Sequence, residues 1–568
     1  MVGKKKVITV SIILVITMML AACSSKSGES SSPAVSATAT EVVATATAAE
    51  PTAEPSFDPM ASYSPQINAS IDFQINDALA DKFKEADWPN NLWNKSYREQ
   101  LGINLNAAWF CKGTDLCNQK KSIAIASGSI PDIMSVSIEQ LATLSKSTSI
   151  RTDLKEAYDK YATKLTKDIM AEAGQAPWDS ATFGGKVLAI PSVDSSIDTA
   201  TFLWVRQDWL TKLNLQMPKN TDELYTVMKA FKEKDPDGNG KADTFGLMLN
   251  KDFLSPGLGE AIGVFNGFHA YPQTWVRDAA GKLAYGSVQP EMKTALTYLN
   301  KLYKDGLLEK DFGAKDSAKA SELAASGRVG VQYGAMWNAM YPLQQTKDNN
   351  PASDWLAHKI ISSDDKPANP QIKLNIRNYY VVNKNYEHPE ALIKLLNFWS
   401  QIYRGSTPEV YNSFLGPDGP SQHNTNFQEW PAKKNLLAHT NVVAAVNSKD
   451  PSKLNTEEKG YYDNILSFKG GENKNAQYEK VFGETGSFTA MEDYDKNNLF
   501  ALDQFYGAPT TTMKSRLDTI KKKEMEFYTK VIMGAESIDN FDAFVANINK
   551  LGLTDITTEV NEWDASKK

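Results

Sequence analysis

The strongest constraint on the fold is a strand, helix, strand rhythm that begins at Ile71. Ile71-Asp72-Phe73-Gln74-Ile75 alternates apolar and polar residues as a half-buried strand does. Ala80 to Gln100 then carries helical spacing, and Gly102-Ile103-Asn104-Leu105-Asn106 resumes the alternation. The cycle repeats. Gln119 to Ser127 reads as helix, Ile130-Pro131-Asp132-Ile133-Met134 opens a buried strand, and Ile138 to Leu144 opens another helix. Neighbouring parallel strands need a long crossover, usually helical, so the rhythm predicts an α/β lobe with a mostly parallel sheet.

Two further extended segments divide the chain. Gly185-Lys186-Val187-Leu188-Ala189-Ile190-Pro191 gives a turn and a short strand, and Thr201 to Arg206 starts a second extended run, which places a crossing to another lobe between them. Ile376 to Asn383 is the return, followed by Glu387-His388-Pro389-Glu390, whose acidic first turn and proline open the amphipathic helix Ala391 to Ser400. Two crossings predict two discontinuous lobes joined by a hinge: 65–192 with about 382–405, and about 200–375 with about 410–568. Such lobes can close around a ligand. The last third is helix-rich, with three-and-four spacing over Thr512 to Ile532 and Ile538 to Leu551.

Lys4-Lys5-Lys6 and the apolar run Val7 to Leu20 have the layout of a secretory signal peptide, 1–22, too short to span a bilayer comfortably. Leu20-Ala21-Ala22-Cys23 ends that run as a bacterial lipobox does, which predicts a lipid-anchored Cys23 on the extracellular face of a Gram-positive type membrane. The alternative is an ordinary secreted chain with a chance cysteine. From Ser24 to about Ser64 the sequence is Ser, Ala, Thr, Pro and Glu with few large apolar side chains, the composition of a flexible tether. Losing the three signal-peptide lysines takes the net charge from −7 to about −10, which argues against nucleic acid and anionic lipid as partners. The remaining cysteines, Cys111 and Cys117, form either a local disulfide clasp or two buried thiols. Five scattered histidines show no zinc spacing.

The sharpest local motif is Asp235-Pro236-Asp237-Gly238-Asn239-Gly240-Lys241-Ala242-Asp243. Asp235, Asp237, Asn239 and Asp243 put side-chain oxygens at positions one, three, five and nine, and Gly240 stands at position six, as in an EF-hand loop; Lys241 would offer its carbonyl. Ca²⁺ in a structural role is the expected ion, and a plain Asp/Gly turn is the alternative. Gly246 replaces the bidentate Glu at position twelve, so another group must complete the shell.

Arg206-Gln207-Asp208-Trp209-Leu210-Thr211-Lys212-Leu213, Pro218-Lys219-Asn220-Thr221-Asp222-Glu223-Leu224 before the Asp235 loop, Asn383-Lys384-Asn385 with His388-Pro389-Glu390-Ala391, and Gly507-Ala508-Pro509-Thr510 recur in one order. The tail runs from Ile532-Met533-Gly534 through Phe541-Asp542 to Glu559-Val560-Asn561-Glu562-Trp563. With these motifs the chain resembles the extracellular solute-binding proteins of family 1, especially the long LipO-like and YtcQ/LplA-like lipoproteins of Bacillus and Paenibacillus. The resemblance implies a two-lobed, periplasmic-binding-protein-like (type II) α/β fold. It also implies capture of a carbohydrate, an oligosaccharide above all, for the permease of an ABC importer, by a monomer that performs no reaction. In alginate-binding relatives an acidic residue follows the last loop Asp and helps hold Ca²⁺; Thr244 stands there in this chain.

Sugars need flat aromatic platforms beside a few convergent polar groups. The candidates near the crossings are Trp204 and Arg206, Trp275, Trp337, and Arg377 with Tyr379. The resemblance puts an aromatic facing the cleft at the turn that Trp337 occupies, with hinge packing the alternative. Trp204, Trp275 and Tyr379 read equally as packing or binding residues, and Arg206 and Arg377 as ion-pair partners. Trp93, Trp209 and Trp399 lie on apolar helical faces and are assigned to the core. The rival functions are a polysaccharide-degrading enzyme and a ligand sensor for a receptor kinase. An enzyme needs a placed acid/base pair, and no such pair, G-x-S-x-G or Walker context stands out.

Overall fold

A computed structural model describes residues 57–75, 83–416, 423 and 425–567. Contacts divide the chain into Met1–Phe57, of which Phe57 alone is described, and Asp58–Lys568. Cys23 and most of the tether expected over 23–64 therefore lie outside the described residues.

The chain lays down β1 (Ile67–Ile75), β2 (Ile103–Lys112), β3 (Ile133–Val136) and β4 (Ile190–Val193) in the first lobe. It crosses to the second for β5 (Phe202–Arg206), β6 (Phe245–Leu247), β7 (Val329–Gly334) and β8 (Trp355–His358), and returns with β9 (Ile376–Val382). The first sheet has the order β2-β1-β3-β9-β4, and the second β8-β5-β7-β6. In the first, β1 pairs in parallel with β2 and β3, and β9 is antiparallel to both β3 and β4. In the second, β6 and β7 are parallel and β5 opposes both β7 and β8. Each sheet is thus mostly parallel with one reversed strand, the one that arrives from the other lobe. The C-terminal edge of each sheet faces the hinge, so a strand entering from the hinge has to run the other way.

Alternation sorts the side chains onto two faces. On β9, Tyr380 and Val382 join one core with Phe73, Trp93 and Trp399, whereas Tyr379 and Val381 join a second with Met134 and Val136. On β5, Leu203 and Val205 face a core shared with the helices Thr221–Glu233, Glu291–Lys304 and Thr511–Ile532, while Phe202 and Trp204 face one shared with Ala320, Ala324, Leu343 and Trp355 and with buried residues between 436 and 494. Trp93, Trp209 and Trp399 are buried as the apolar spacing predicts.

Two boundaries depart from the sequence reading. The helix expected over Ala80 to Gln100 is broken: Glu85–Asn90 is a 3₁₀ turn containing Pro89, followed by a short helix at Leu92–Ser96 and a π turn at Tyr97–Leu101. Proline lacks the N–H that a continuous helix would need there. The first lobe also keeps the chain well past residue 405, because Phe427 packs on Tyr380 and Trp430 on Trp399. A third crossing follows, with the Trp430 N–H bonded to the Val193 carbonyl and Ser195 Oγ to the Ala432 carbonyl. Among the described residues no helix is long and apolar enough to cross a membrane.

Candidate ligand cleft

The first crossing leaves β4 at Asp194 and enters β5 at Phe202, and it is tied to the return strand by the Asp194 N–H on the Asn375 carbonyl and the Asn375 N–H on Ser196 Oγ. These ties hold the C-terminal edges of the two sheets against one another, the place where α/β sheets bind ligands. A chamber of about 300 Å³ opens there. Its walls come from Ser137 and Glu139 just past β3, from Arg377, Asn378 and Tyr379 on β9, and from Asp503 and Phe505–Gly507 of the second lobe.

The chemistry of this chamber is mixed. Asn378 Oδ1 is sealed from solvent with no hydrogen-bond partner among the described residues. Arg377 is exposed and reaches Asp194 Oδ2 at 3.3 Å. Burial pushes Asp503 up to about 6, although its Oδ1 accepts the N–H groups of Trp275 and Phe505 at 3.1 Å each. Tyr379 donates to Ser180 Oγ at 2.9 Å, and burial raises its phenol to about 12. Tyr506 bridges the lobes by donating to Asp179 Oδ2 at 3.2 Å, and the Lys567 ammonium sits 3.7 Å from the centre of its ring. Arg377 also borders a larger chamber of about 810 Å³ on the β4 side.

Of the six ligand candidates, Arg377 and Tyr379 meet in the smaller chamber. Trp337 lies in the 3₁₀ turn Met336–Ala339 directly after β7, half-buried on the hinge-facing edge of the second sheet but outside the linings of both chambers. The other three are corrected to structural positions. Trp204 is fully buried and donates its indole N–H to the Gly334 carbonyl at 3.0 Å. Trp275 is buried against Tyr285 and Phe505. Arg206 is 2% exposed, forks onto Asp208 at 2.6 and 2.8 Å and stacks on Trp209. Sequence reasoning missed Glu139, Asp503 and the Phe505-Tyr506 pair. The last stands immediately before Gly507-Ala508-Pro509-Thr510, so that motif was the available signal.

A family model for bacterial extracellular solute-binding proteins matches residues 112–401. The chain belongs to that family. This solute-binding protein is 30% identical over 239 residues to lipoprotein LipO of Bacillus subtilis (strain 168), covering 42% of this chain and 45% of that one. It is 39% identical over 136 residues to the polygalacturonan/rhamnogalacturonan-binding protein YtcQ of the same strain, covering 24% and 26%. The matched stretches thus span less than half of either relative. An extracellular solute-binding protein from Bifidobacterium longum subsp. infantis superimposes with a TM-score of 0.59 at 17% identity, over 88% of this chain and 98% of that one, which shows the two-lobed fold.

The solute-binding protein carries its Asp235 loop away from the hinge, at the end of the helix Thr221–Glu233. Asp235 has φ 47°, and Gly238 and Gly240 have φ 74° and 75°, which gives the tight turn expected of the motif. Asp235 receives the Asn239 and Gly240 N–H groups at 3.2 and 3.0 Å. The Asn239 amide links Asp237 Oδ2 and Asp243 Oδ1 at 2.8 and 3.1 Å. Asp235 is held below the usual carboxylate range by its hydrogen bond to Asp237 and the Gly240 N–H. Asp237 is raised by desolvation and by that same bond. Among the described residues no three acidic, His or Cys side chains form a ready-made metal set; the Asn239 amide occupies the space between two of these carboxylates. A hard divalent cation would need Asn239 to turn its oxygen toward Asp235, Asp237 and Asp243. Thr244 is no ligand in this arrangement, because it is fully buried and donates to the Phe231 carbonyl at 2.8 Å. Cys111 and Cys117 are joined through their sulfurs.

Proposed function

We propose that this protein captures an oligosaccharide in the inter-lobe cleft by hinge closure, without chemical change, and hands it to the permease of an ABC importer. The observation that carries the reading is the chamber between the facing sheet edges, where Tyr379, Phe505 and Tyr506 stand beside the unpartnered Asn378 oxygen and the exposed Arg377. Rings beside a few unspent polar groups suit the apolar faces and hydroxyl rims of a sugar. The name of YtcQ, a polygalacturonan/rhamnogalacturonan-binding protein, supports a carbohydrate. Closure requires that the ligand favour the closed state, since equal affinity for both would shift nothing. We place the protein on the extracellular face of the membrane as a monomer held by a lipid on Cys23, with Ca²⁺ in the Asp235 loop as a structural ion.

Thermal unfolding against glycan pools tests the reading. A bound glycan at about 100 times its Kd adds roughly 2.7 kcal/mol of stability, and the pool is recovered unchanged. Release of shorter sugars would overturn it, as would the absence of a shift with every glycan tried. Calcium is tested apart: EDTA lowers the melting temperature of the parent and leaves that of Asp237→Ala unmoved, whereas equal responses would remove the ion.

A further inference from the structure

Two sequence motifs far apart in the chain, Gly507-Ala508-Pro509-Thr510 and the tail that carries Glu562-Trp563, meet at one place in the second lobe. A Cβ added to Gly507 would come within 2.5 Å of Trp563 Nε1, so any larger residue there would push the indole away. The Trp563 ring stands edge-on to Phe505 and Tyr506, with ring centroids 4.7 and 5.2 Å away. Its helix, Thr554–Ala565, is fixed through Asp564, whose two oxygens take the Arg277 guanidinium at 2.8 and 2.9 Å. Glycine at 507 thus lets the tail press against Tyr506 and set where its hydroxyl points.

That hydroxyl points at the other lobe. It donates to Asp179 Oδ2 at 3.2 Å, on the short first-lobe helix Ala176–Ser180, and Asp179 Oδ1 is held by the Gln175 amide at 2.9 Å. Lys567 brings a positive charge to the same place, its ammonium 3.7 Å from the centre of the Tyr506 ring and 3.1 Å from that of Trp563. Burial pulls Lys567 down to about 8 against the attraction of Asp179 and Asp564, which leaves it a cation at pH 7. The crossings join the lobes by covalent chain whatever the hinge angle. The bond from Tyr506 to Asp179 does not, because a hydrogen bond is lost beyond about 3.5 Å, so any parting of the lobes at this point breaks it. Tyr506 also lines the smaller chamber, and Ser180, next to Asp179, holds Tyr379 of the opposite wall, while Asp179 itself stands outside the lining.

A contact made in only one of two arrangements shifts their balance by its own free energy, and a hydrogen bond to a carboxylate is among the stronger ones. We propose that Tyr506 and Asp179, with Lys567 beside them, form a latch that favours joined lobes over parted ones, and that Gly507 and Trp563 are the positioning residues that aim it. The proposal rests on the hinge-closure reading of the cleft. It adds that part of the bias toward closure is built into the chain and is not supplied by the solute.

The test is small-angle X-ray scattering of the purified protein with no glycan added, beside thermal melts of the same samples. Scattering from the parent should fit joined lobes. Tyr506→Phe, which keeps the ring, and Asp179→Ala should each raise the share of parted lobes about tenfold, the loss of one charge-assisted hydrogen bond, seen as a larger radius of gyration at an unchanged melting temperature. The double variant should open no further than either single one, since both remove the same bond. Lys567→Ala should shift the radius the same way and by less. An unchanged radius in both single variants would overturn the latch, as would a double variant whose effect is the sum of the two, or a lowered melting temperature without any opening. Should Asp179→Ala fail to fold, Asp179→Asn takes its place. Because no glycan enters the measurement, failure of the latch leaves capture in the cleft intact, and a parent that binds no glycan in the thermal screen leaves the scattering result standing.

Discussion

Two arginines stand on the two strands that enter from the hinge, one at the far end and one at the near end, and they end in opposite surroundings. Arg206 closes β5, is 2% exposed, and is clamped between Asp208 and the Trp209 ring. Arg377 opens β9, is exposed, and touches Asp194 through one nitrogen at 3.3 Å. Both sit on extended segments next to a crossing, and each has an aspartate partner. Strand direction separates them. A strand rises about 3.3 Å per residue, so the far end of β5 is carried well away from the hinge into the body of the second lobe, while the near end of β9 stays at the cleft. An arginine at the start of an entering strand can meet a ligand; one at its end stabilises the lobe.

Replacement of Arg206 gives the largest expected effect. Arg206→Ala leaves Asp208 without its buried partner and should cost about 3 kcal/mol or more in denaturant unfolding, while the folded fraction still shows the glycan-induced shift. Loss of the shift at unchanged stability would reverse the assignment.

A buried carboxyl on the third crossing sharpens the contrast, since it has no partner to exchange. Glu429 is fully buried, neither carboxyl oxygen has a hydrogen-bond partner among the described residues, and burial pushes it up to about 8. Below the unfolded value, about 4.3, the group is protonated in both states and costs nothing. As pH rises toward 8 the unfolded chain ionises first, so stability falls throughout that window. Glu429→Gln should therefore be close to neutral at pH 4.5 and stabilising by on the order of 4 kcal/mol at pH 8, read from paired melting curves. A difference that does not grow with pH would place a charge partner beside it.

The smallest stability effect belongs to Arg377→Ala, because a solvent-exposed pair is worth less than about 1 kcal/mol. Its consequence is in binding, with the glycan-induced shift reduced or lost. A stability loss as large as that of Arg206→Ala would make the two arginines equivalent and break the comparison.

Much of the fold is legible residue by residue. The helix Ile138–Leu144 begins and ends where the spacing puts it, since Ser137 and Gln140 supply a local capping box. The tight turn in the Asp235 loop forms locally because its donors and acceptors lie within nine positions of each other. Trp204 and Trp275 resisted the same treatment. Whether a tryptophan next to a crossing packs or binds depends on what covers it, and Trp204 is covered by segments more than a hundred residues distant, as its bond to Gly334 records. Trp430 carried no local signal at all; its surroundings come from Trp399, Tyr403 and Lys434.

By itself the sequence determined most of the first-lobe strands, the two lobes and the turn at Asp235, because alternation, helical spacing and Asp/Gly chemistry act over a few residues. Tertiary structure decided which aromatic and charged side chains border the cleft, where the third crossing falls, and which buried atoms remain unsatisfied. Those outcomes depend on chain direction at the hinge and on contacts between distant segments, and neither has a local signature.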